Sequence, residues 1–277
     1  MLPLKCPNLT VTPLIVKIVT DLSKYKLVNE SQAKGCRMSS EKNEPKVGLM
    51  SRLEEAWVGG TAEFLATFFF IILGAGTVVI TGAITGGSLD ISRLLAISLA
   101  HGIAIMLLVT ATANISGGHI NPAVTISMII TKNITITKGV IYIICQLAGG
   151  TLGALTLCWL MPEAGNLGSH GLGAGITAFQ GLVTEIILTF ALVFVIFASA
   201  VDPRGLGKLA PIAIGLTVMA DHLVGVPLTG ASMNPARSFG PALVSMTWDN
   251  HWIYWIGPII GGVLAATVYK LVFLNRR

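Results

Sequence analysis

After about residue 55 the chain is dominated by long apolar stretches separated by short polar or glycine-rich connections. Six of them, at roughly 61–84, 94–113, 138–161, 178–200, 209–226 and 251–273, approach the ~20 residues that a helix needs to cross a bilayer. Two shorter apolar runs, Ile115-Ser-Gly-Gly-His-Ile-Asn-Pro-Ala-Val-Thr125 and Leu228-Thr-Gly-Ala-Ser-Met-Asn-Pro-Ala-Arg-Ser238, each carry Asn-Pro-Ala in a glycine-containing setting. Asn before Pro is disfavoured in the α region, and Pro suits the first helical turn, where its missing N–H costs nothing. Asn121 and Asn234 therefore read as caps of two short helices.

The pattern repeats. Glu63-Phe-Leu-Ala-Thr-Phe68 matches Glu185-Ile-Ile-Leu-Thr-Phe190, and Ile141-Tyr142, Gly149-Gly150 and Leu152 match Ile253-Tyr254, Gly261-Gly262 and Leu264. Each half holds three spans, an odd number, so the second copy enters the membrane upside down, with functional sites expected at the repeat interface near the midplane. The Asn-Pro-Ala runs are too short to span and are expected to be re-entrant half-helices, one from each face, whose N-termini meet. Irregular backbone at that depth is tolerated only where it is buried or lines a water-filled cavity. The expected fold is an all-α membrane protein of six transmembrane helices and two re-entrant half-helices in an inverted repeat. Residues 1–54 read as a flexible cytoplasmic arm and 55–277 as the channel domain, its halves at about 55–162 and 175–275.

Composition fits this picture, with 53% hydrophobic and 11% charged residues among 277. The net charge of +5 is not a nucleic-acid signal, because the basic residues form no single patch. Nine of them (Lys5, Lys17, Lys24, Lys26, Lys34, Arg37, Lys42, Lys46, Arg52) precede the first span, and Lys132, Lys138, Arg204, Lys208, Lys270, Arg276 and Arg277 fall on the same side. Only Arg93 and Arg237 fall on the other, so both termini are expected in the cytoplasm. The apolar run Pro13–Val19 is too short to span and lacks a cleavage site; Met38 or Met50 would serve equally as a start. Asn8-Leu-Thr10 and Asn133-Ile-Thr135 match glycosylation sequons but lie on the cytoplasmic side. Cys6, Cys36, Cys145 and Cys158 show neither a disulfide framework nor metal spacing.

Glu63 and Glu185 sit deep in apolar spans, where an ionised group costs about 2.5–3.5 kcal/mol without partners. Their equivalent positions favour a scaffold accepting N–H bonds from the re-entrant loops, with Gln146 assisting, over a proton relay. Gly149-Gly150, Gly153 and Ala154, like Gly261-Gly262, Ala265 and Ala266, suit close helix packing. His101, His119 and His222 lie at membrane depth without metal-ligand spacing and read as pore lining. Arg237 stands where the first copy has Val124; beside a half-helix N-terminus a cation gains nothing from the dipole, whereas facing a narrow pore it repels cations.

Together the paired Asn-Pro-Ala runs (Asn121, Pro122, Ala123; Asn234, Pro235, Ala236), Ser116-Gly-Gly-His119, Asn234-Pro-Ala-Arg-Ser-Phe-Gly240 and His251-Trp-Ile-Tyr-Trp-Ile-Gly-Pro258 resemble the aquaporin, or major intrinsic protein, family over about residues 55–275. The resemblance implies a homotetramer with one pore per subunit in a cell membrane, without cofactor, metal or enzymatic activity. It also implies a selectivity filter, which carried over by motif comprises His101, His222, Ala231 and Arg237. Ser238, where glycerol facilitators carry Asp, with Ala242, Tyr254 and Trp255, is similar to the water-selective pattern. His101 stands where many water channels have Phe and the plant tonoplast type has His. Ala231 replaces bulkier or thiol residues, which implies a slightly wider, more polar filter and no block by mercurials there.

The resulting expectation is a passive water channel. Water passes single file along the carbonyls of Gly117, Gly118, His119, Ala231, Ser232 and Met233, and the amides of Asn121 and Asn234 donate to it at the midplane. Aligned half-helix N-termini, each equivalent to roughly +0.5 charge, oppose cations and protons. Facilitation of ammonia, hydrogen peroxide or glycerol is the alternative. A secondary transporter, which would carry more paired intramembrane charges, is a more distant one.

Overall fold

The structure is a computed structural model describing residues 49–274 except 164. The arm with Cys6, Cys36, the Asn8 sequon and most of the basic cluster, and the terminal Arg276 and Arg277, lie outside the described residues. Helix α1 (Leu49–Phe70) runs through a π-helical turn (Ile71–Ala75) into α2 (Gly76–Ile84). Then follow α3 (Ile91–Thr112), α4 (Pro122–Ile130), α5 (Ile136–Leu160), α6 (Ala178–Ile196), α7 (Ala210–Thr229), α8 (Pro235–Ser245) and α9 (Ile253–Val268). Helices α6 and α9 end in π-helical turns, Phe197–Val201 and Tyr269–Leu274. Because α1 begins at Leu49, the domain boundary expected near residue 54 falls inside a continuous helix.

Six helical stretches among the described residues are long and apolar enough to cross a membrane: Leu53–Ile84, Ile91–Thr112, Ile136–Leu160, Ala178–Val201, Gly207–Thr229 and Ile253–Leu274. Helices α4 and α8, of 9 and 11 residues, reach only ~14–17 Å at ~1.5 Å per residue. Helix starts follow local capping chemistry. The side chain of Asp90 accepts from the Arg93 amide at the head of α3, Thr135 caps α5, and Thr177 with Gln180 forms a capping box at α6.

The bundle keeps a largely apolar interior but, unlike a water-soluble one, is apolar on its outside too. Leu107, Ile144, Ile187 and Val224 are exposed on the outside, while Glu63, Gln146, Glu185, Asn121, Asn234 and Arg237 are buried within. The chain is an integral multi-pass membrane protein, and lipid covers the apolar exterior at no hydrophobic cost. Helix α1 packs on α5 and α6 on α9, the same pairing in each half, and α3 on α7 joins the halves. Small residues set these approaches. A Cβ on Gly102 of α3 would stand 2.6 Å from the Gly215 carbonyl of α7, and one on Gly215 equally close to the Gly102 carbonyl. Gly149 and Gly261 play matching parts, facing the carbonyls of Phe64 and Ile186.

The bundle is tied at one end by surface polar contacts. The Arg204 guanidinium beside Asp202 holds its carboxyl well below the usual carboxylate range. Tyr269 donates to the same carboxylate at 3.0 Å, and Arg204 Nη2 reaches the Phe273 carbonyl at 3.1 Å. Lys270 Nζ donates to the Thr131 carbonyl at 2.5 Å.

Gly102→Leu forces the α3–α7 crossing apart and is expected to cost roughly 1–3 kcal/mol, as overpacking does. Thermal unfolding in detergent should register a lower Tm, whereas Gly171→Ala, which meets nothing within 4 Å, should leave it unchanged.

Candidate functional site

Two re-entrant loops enter the bundle, one before α4 and one before α8, and they share a backbone shape. A shift of 113 residues relates them: Gly117 and Gly230 (φ 96° and 84°), Gly118 and Ala231 (63° and 59°), and Ile120 and Met233 (57° and 53°) all take left-handed conformations. Non-glycine residues there cost of order 1–3 kcal/mol each and persist only where their surroundings over-determine them. The over-determination comes from the buried glutamates. Glu63 on α1 accepts from the backbone amides of His119 (2.9 Å) and Ile120 (2.5 Å), the Ser116 hydroxyl (2.6 Å) and Gln146 Nε2 (2.8 Å). Glu185 on α6 accepts from Ser232 N (2.9 Å), Met233 N (2.7 Å) and the Thr229 hydroxyl (2.7 Å). Donors that lipid would leave bare are thus paired, which stabilises both the carboxylates and the loops.

The asparagines lock the two loops together. Asn121 Oδ1 accepts from the Ala123 amide and Asn234 Oδ1 from those of Ala236 and Arg237, so each caps its own half-helix. Asn121 Nδ2 donates across to the Met233 carbonyl at 2.8 Å, and Asn234 Nδ2 to the Ile120 carbonyl at 2.9 Å. A carboxamide nitrogen carries two hydrogens. Each cross-bond uses one, and the second on each side remains for a molecule between the helix ends.

A cavity of about 610 Å³ runs beside this junction. Its lining extends from Gly207 and Lys208 past Asn121, Asn234, Gly117, Gly118, His119, Ser232 and Met233 to His222. Beyond His222 lie the remaining filter candidates. The rings of His101 and His222 stack with centroids 4.2 Å apart. Arg237, 2% exposed, donates from Nε to His101 Nε2 at 3.3 Å and from Nη1 to the Gly168 carbonyl at 2.9 Å. Helix carbonyls at Ile97 and Val218 accept from Nδ1 of the two histidines (2.9 and 2.8 Å), so in the neutral rings Nε2 carries no hydrogen and is the acceptor, engaged by Arg237 in His101. The same 113-residue shift carries these four positions onto Ile214, Val109, Gly118 and Val124, all of which line the cavity. One architecture therefore stands twice, polar and narrow at one end, apolar and open at the other.

The sequence model described as "Major intrinsic protein" matches residues 50–269. The chain belongs to the major intrinsic protein family. It is thus a membrane channel and not an enzyme. It is 46% identical over 215 residues to aquaporin TIP4-4 of Zea mays, covering 77% of this chain and 85% of the relative. To the probable aquaporin TIP-type RB7-18C of Nicotiana tabacum it is 47% identical over 217 residues, covering 77% and 86%. The solved aquaglyceroporin from Plasmodium falciparum superposes with a TM-score of 0.71 at 23% identity, over 78% of this chain and 96% of that one, a likeness of fold alone.

This family member also holds polar groups at the filter end that sequence reading missed. His170, in the connection after α5, is hydrogen-bonded through Nδ1 to Ser238 Oγ (2.8 Å), which is 2.5 Å from Ser232 Oγ; Ser232 in turn donates to the Asn234 carbonyl. Its ring packs on Tyr254 with centroids 5.1 Å apart. In the first half His119 occupies the matching place with its own ring, Nδ1 3.1 Å from Thr125 Oγ1 and the ring 5.5 Å from Tyr142. No motif flags His170, because its Gly-rich connection has no periodicity; the trace is that Ser232 stands where the first copy has His119. Of the other residues singled out, Tyr254 donates to the Thr229 carbonyl and Ala242 is buried in α8. Trp255 donates to His251 and packs on Phe239. Burial, reinforced by the Arg237 charge, holds His170 well below the usual imidazole range.

Replacing Glu63 by Gln sets an amide where two donors point, whichever way it flips, while Glu185→Gln can confine the clash to Met233 N. Each unsatisfied buried group costs about 1–3 kcal/mol, so Glu63→Gln should lower Tm in detergent more than Glu185→Gln does. The depressed imidazole of His170 binds fewer protons folded than unfolded, so its contribution is present above pH about 6.5 and falls away below it. A Tm series from pH 7.5 to 5 should show a shallower acid loss in His170→Gln than in the parent.

Proposed function

We propose that the chain is a passive water channel that excludes ions and protons, with the asparagine pair as its centre and His101, His222, Ala231 and Arg237 as its filter. The observation that carries this reading is the cross-bonded amide pair. Two half-helix N-termini meet at the cavity, and each asparagine keeps one N–H unspent. A water there accepts from both, so its own hydrogens point away along the pore and it cannot pass a proton through the junction. The partial positive charge of both helix ends opposes cations at the same point. The carbonyls of Gly117, Gly118, His119, Ala231, Ser232 and Met233 supply acceptors on one wall. Much of the remaining lining is apolar, including Phe70, Val109, Val124, Leu192 and Ile214.

Arg237, paired only with neutral acceptors among the described residues, supports cation exclusion at the filter. The ion pairs among those residues, Lys138–Glu55 and Arg204–Asp202, sit at helix ends. That placement disfavours an ion-coupled transporter. The charge bias of the connections supports both termini in the cytoplasm. The apolar flanks of the bundle suit a homotetramer, one pore per subunit. The methyl side chain of Ala231 supports a second reading in which ammonia or hydrogen peroxide follows water.

Stopped-flow light scattering on proteoliposomes tests this. A sucrose challenge should give shrinkage faster than in empty vesicles, without fast glycerol re-entry. Rapid glycerol entry would reject water selectivity, with Ala231 the first residue to enlarge. Arg237→Val should raise ion or small-solute leakage roughly tenfold, the effect of ~1.4 kcal/mol off a barrier; unchanged leakage removes Arg237 from the filter.

A further inference from the structure

We infer that the filter works as a one-sided gate in which His101 is the fixed wall, Gly74 is the positioning residue that seats it, and the His222 ring turns to let each water by. This rests on the water-channel reading above. Stacked rings 4.2 Å apart leave no space between their faces for a water of radius ~1.4 Å, and the lining of the cavity includes His222 but neither His101 nor Arg237, so a path between the rings opens only when one of them turns.

The two rings are held very differently. His101 is fixed at both nitrogens, Nδ1 on the Ile97 carbonyl and Nε2 by Arg237, and its edge meets Phe70 at a centroid separation of 5.6 Å. Arg237 is itself tied to the Gly168 carbonyl. Among the described residues His222 is held only at Nδ1, and its Nε2 is buried without a partner. A bare acceptor in a buried site gains a hydrogen bond by turning toward a water in the cavity that it already lines. His222 is therefore the ring with both freedom and reason to move.

Gly74 explains how His101 stays back. It lies in the π-helical turn Ile71–Ala75, and a Cβ there would stand 2.7 Å from both Cδ2 and Nε2 of His101. π-helical turns inside α-helices recur at functional sites. Here the turn presents bare backbone to the imidazole. Any side chain at position 74 pushes His101 off its seat, and the stacked His222 ring stands in the way.

The test is osmotic water permeability of full-length protein in proteoliposomes, normalised to reconstituted protein. Gly74→Ala should reduce it roughly tenfold, equivalent to ~1.4 kcal/mol on the barrier. Adding His101→Ala to that variant should restore flux to at least the parent level, a rescue that damaged folding cannot give. Parent-like flux in Gly74→Ala, or a double variant as slow as the single, overturns the gate and leaves the water-channel reading standing. A parent protein no faster than empty vesicles overturns both.

Discussion

Backbone polar groups at membrane depth have to be paired, and in this protein two buried carboxylates pair those that neither helix nor hydroxyl reaches. Glu63 and Glu185 each gather the amides of one re-entrant loop. The left-handed residues of those loops, the half-helices that follow and the cross-bonds between Asn121 and Asn234 all depend on that anchoring. The carboxylates depend on it in turn, since the loop amides and hydroxyls offset the cost of burying them. Because α1 packs on α5 and α6 on α9 in the same way, each glutamate is held within its own half, and the halves meet at Gly102 and Gly215.

Function arises where the two halves differ. From α3 through the first half-helix and from α7 through the second, the two halves correspond by a shift of 113 residues, but the positions that are Val109, Ile214 and Val124 at one end become His222, His101 and Arg237 at the other. Apolar side chains leave an open vestibule; imidazoles and a guanidinium make a tight, hydrogen-bonded constriction. The second difference is His170, which supplies from a distant connection the imidazole that His119 supplies within the first loop. Gln146 has Pro258 as its counterpart, so Glu185 makes one bond fewer than Glu63. The repeated scaffold sets the geometry, and a few asymmetric residues set its two ends apart.

Much of this was legible from the chain. The six spans follow from length and hydropathy, the inverted repeat from the Glu63 and Glu185 segments, and the caps from the rule that Asn-Pro starts helices. Local chemistry and bilayer thickness decide those features, so sequence suffices. The left-handed backbone at Ile120 and Met233 was not legible, because neither residue favours it; tertiary bonds to the glutamates impose it. Nor were the π-helical turn that places Gly74 against His101, or His170, whose role exists only once its loop folds over Ser238. The extent of α1, starting at Leu49, was also missed, since Ser51, Arg52, Glu54 and Glu55 interrupt the apolar pattern without breaking the helix.

The central claim is that the paired asparagines pass water while breaking the chain of proton transfer. It is tested most directly by following vesicle volume and internal pH together, in proteoliposomes loaded with a pH-sensitive dye and exposed to an osmotic step and a pH gradient. The account predicts rapid shrinkage with internal pH holding as it does in empty vesicles. Collapse of the pH gradient in step with water flow would contradict it.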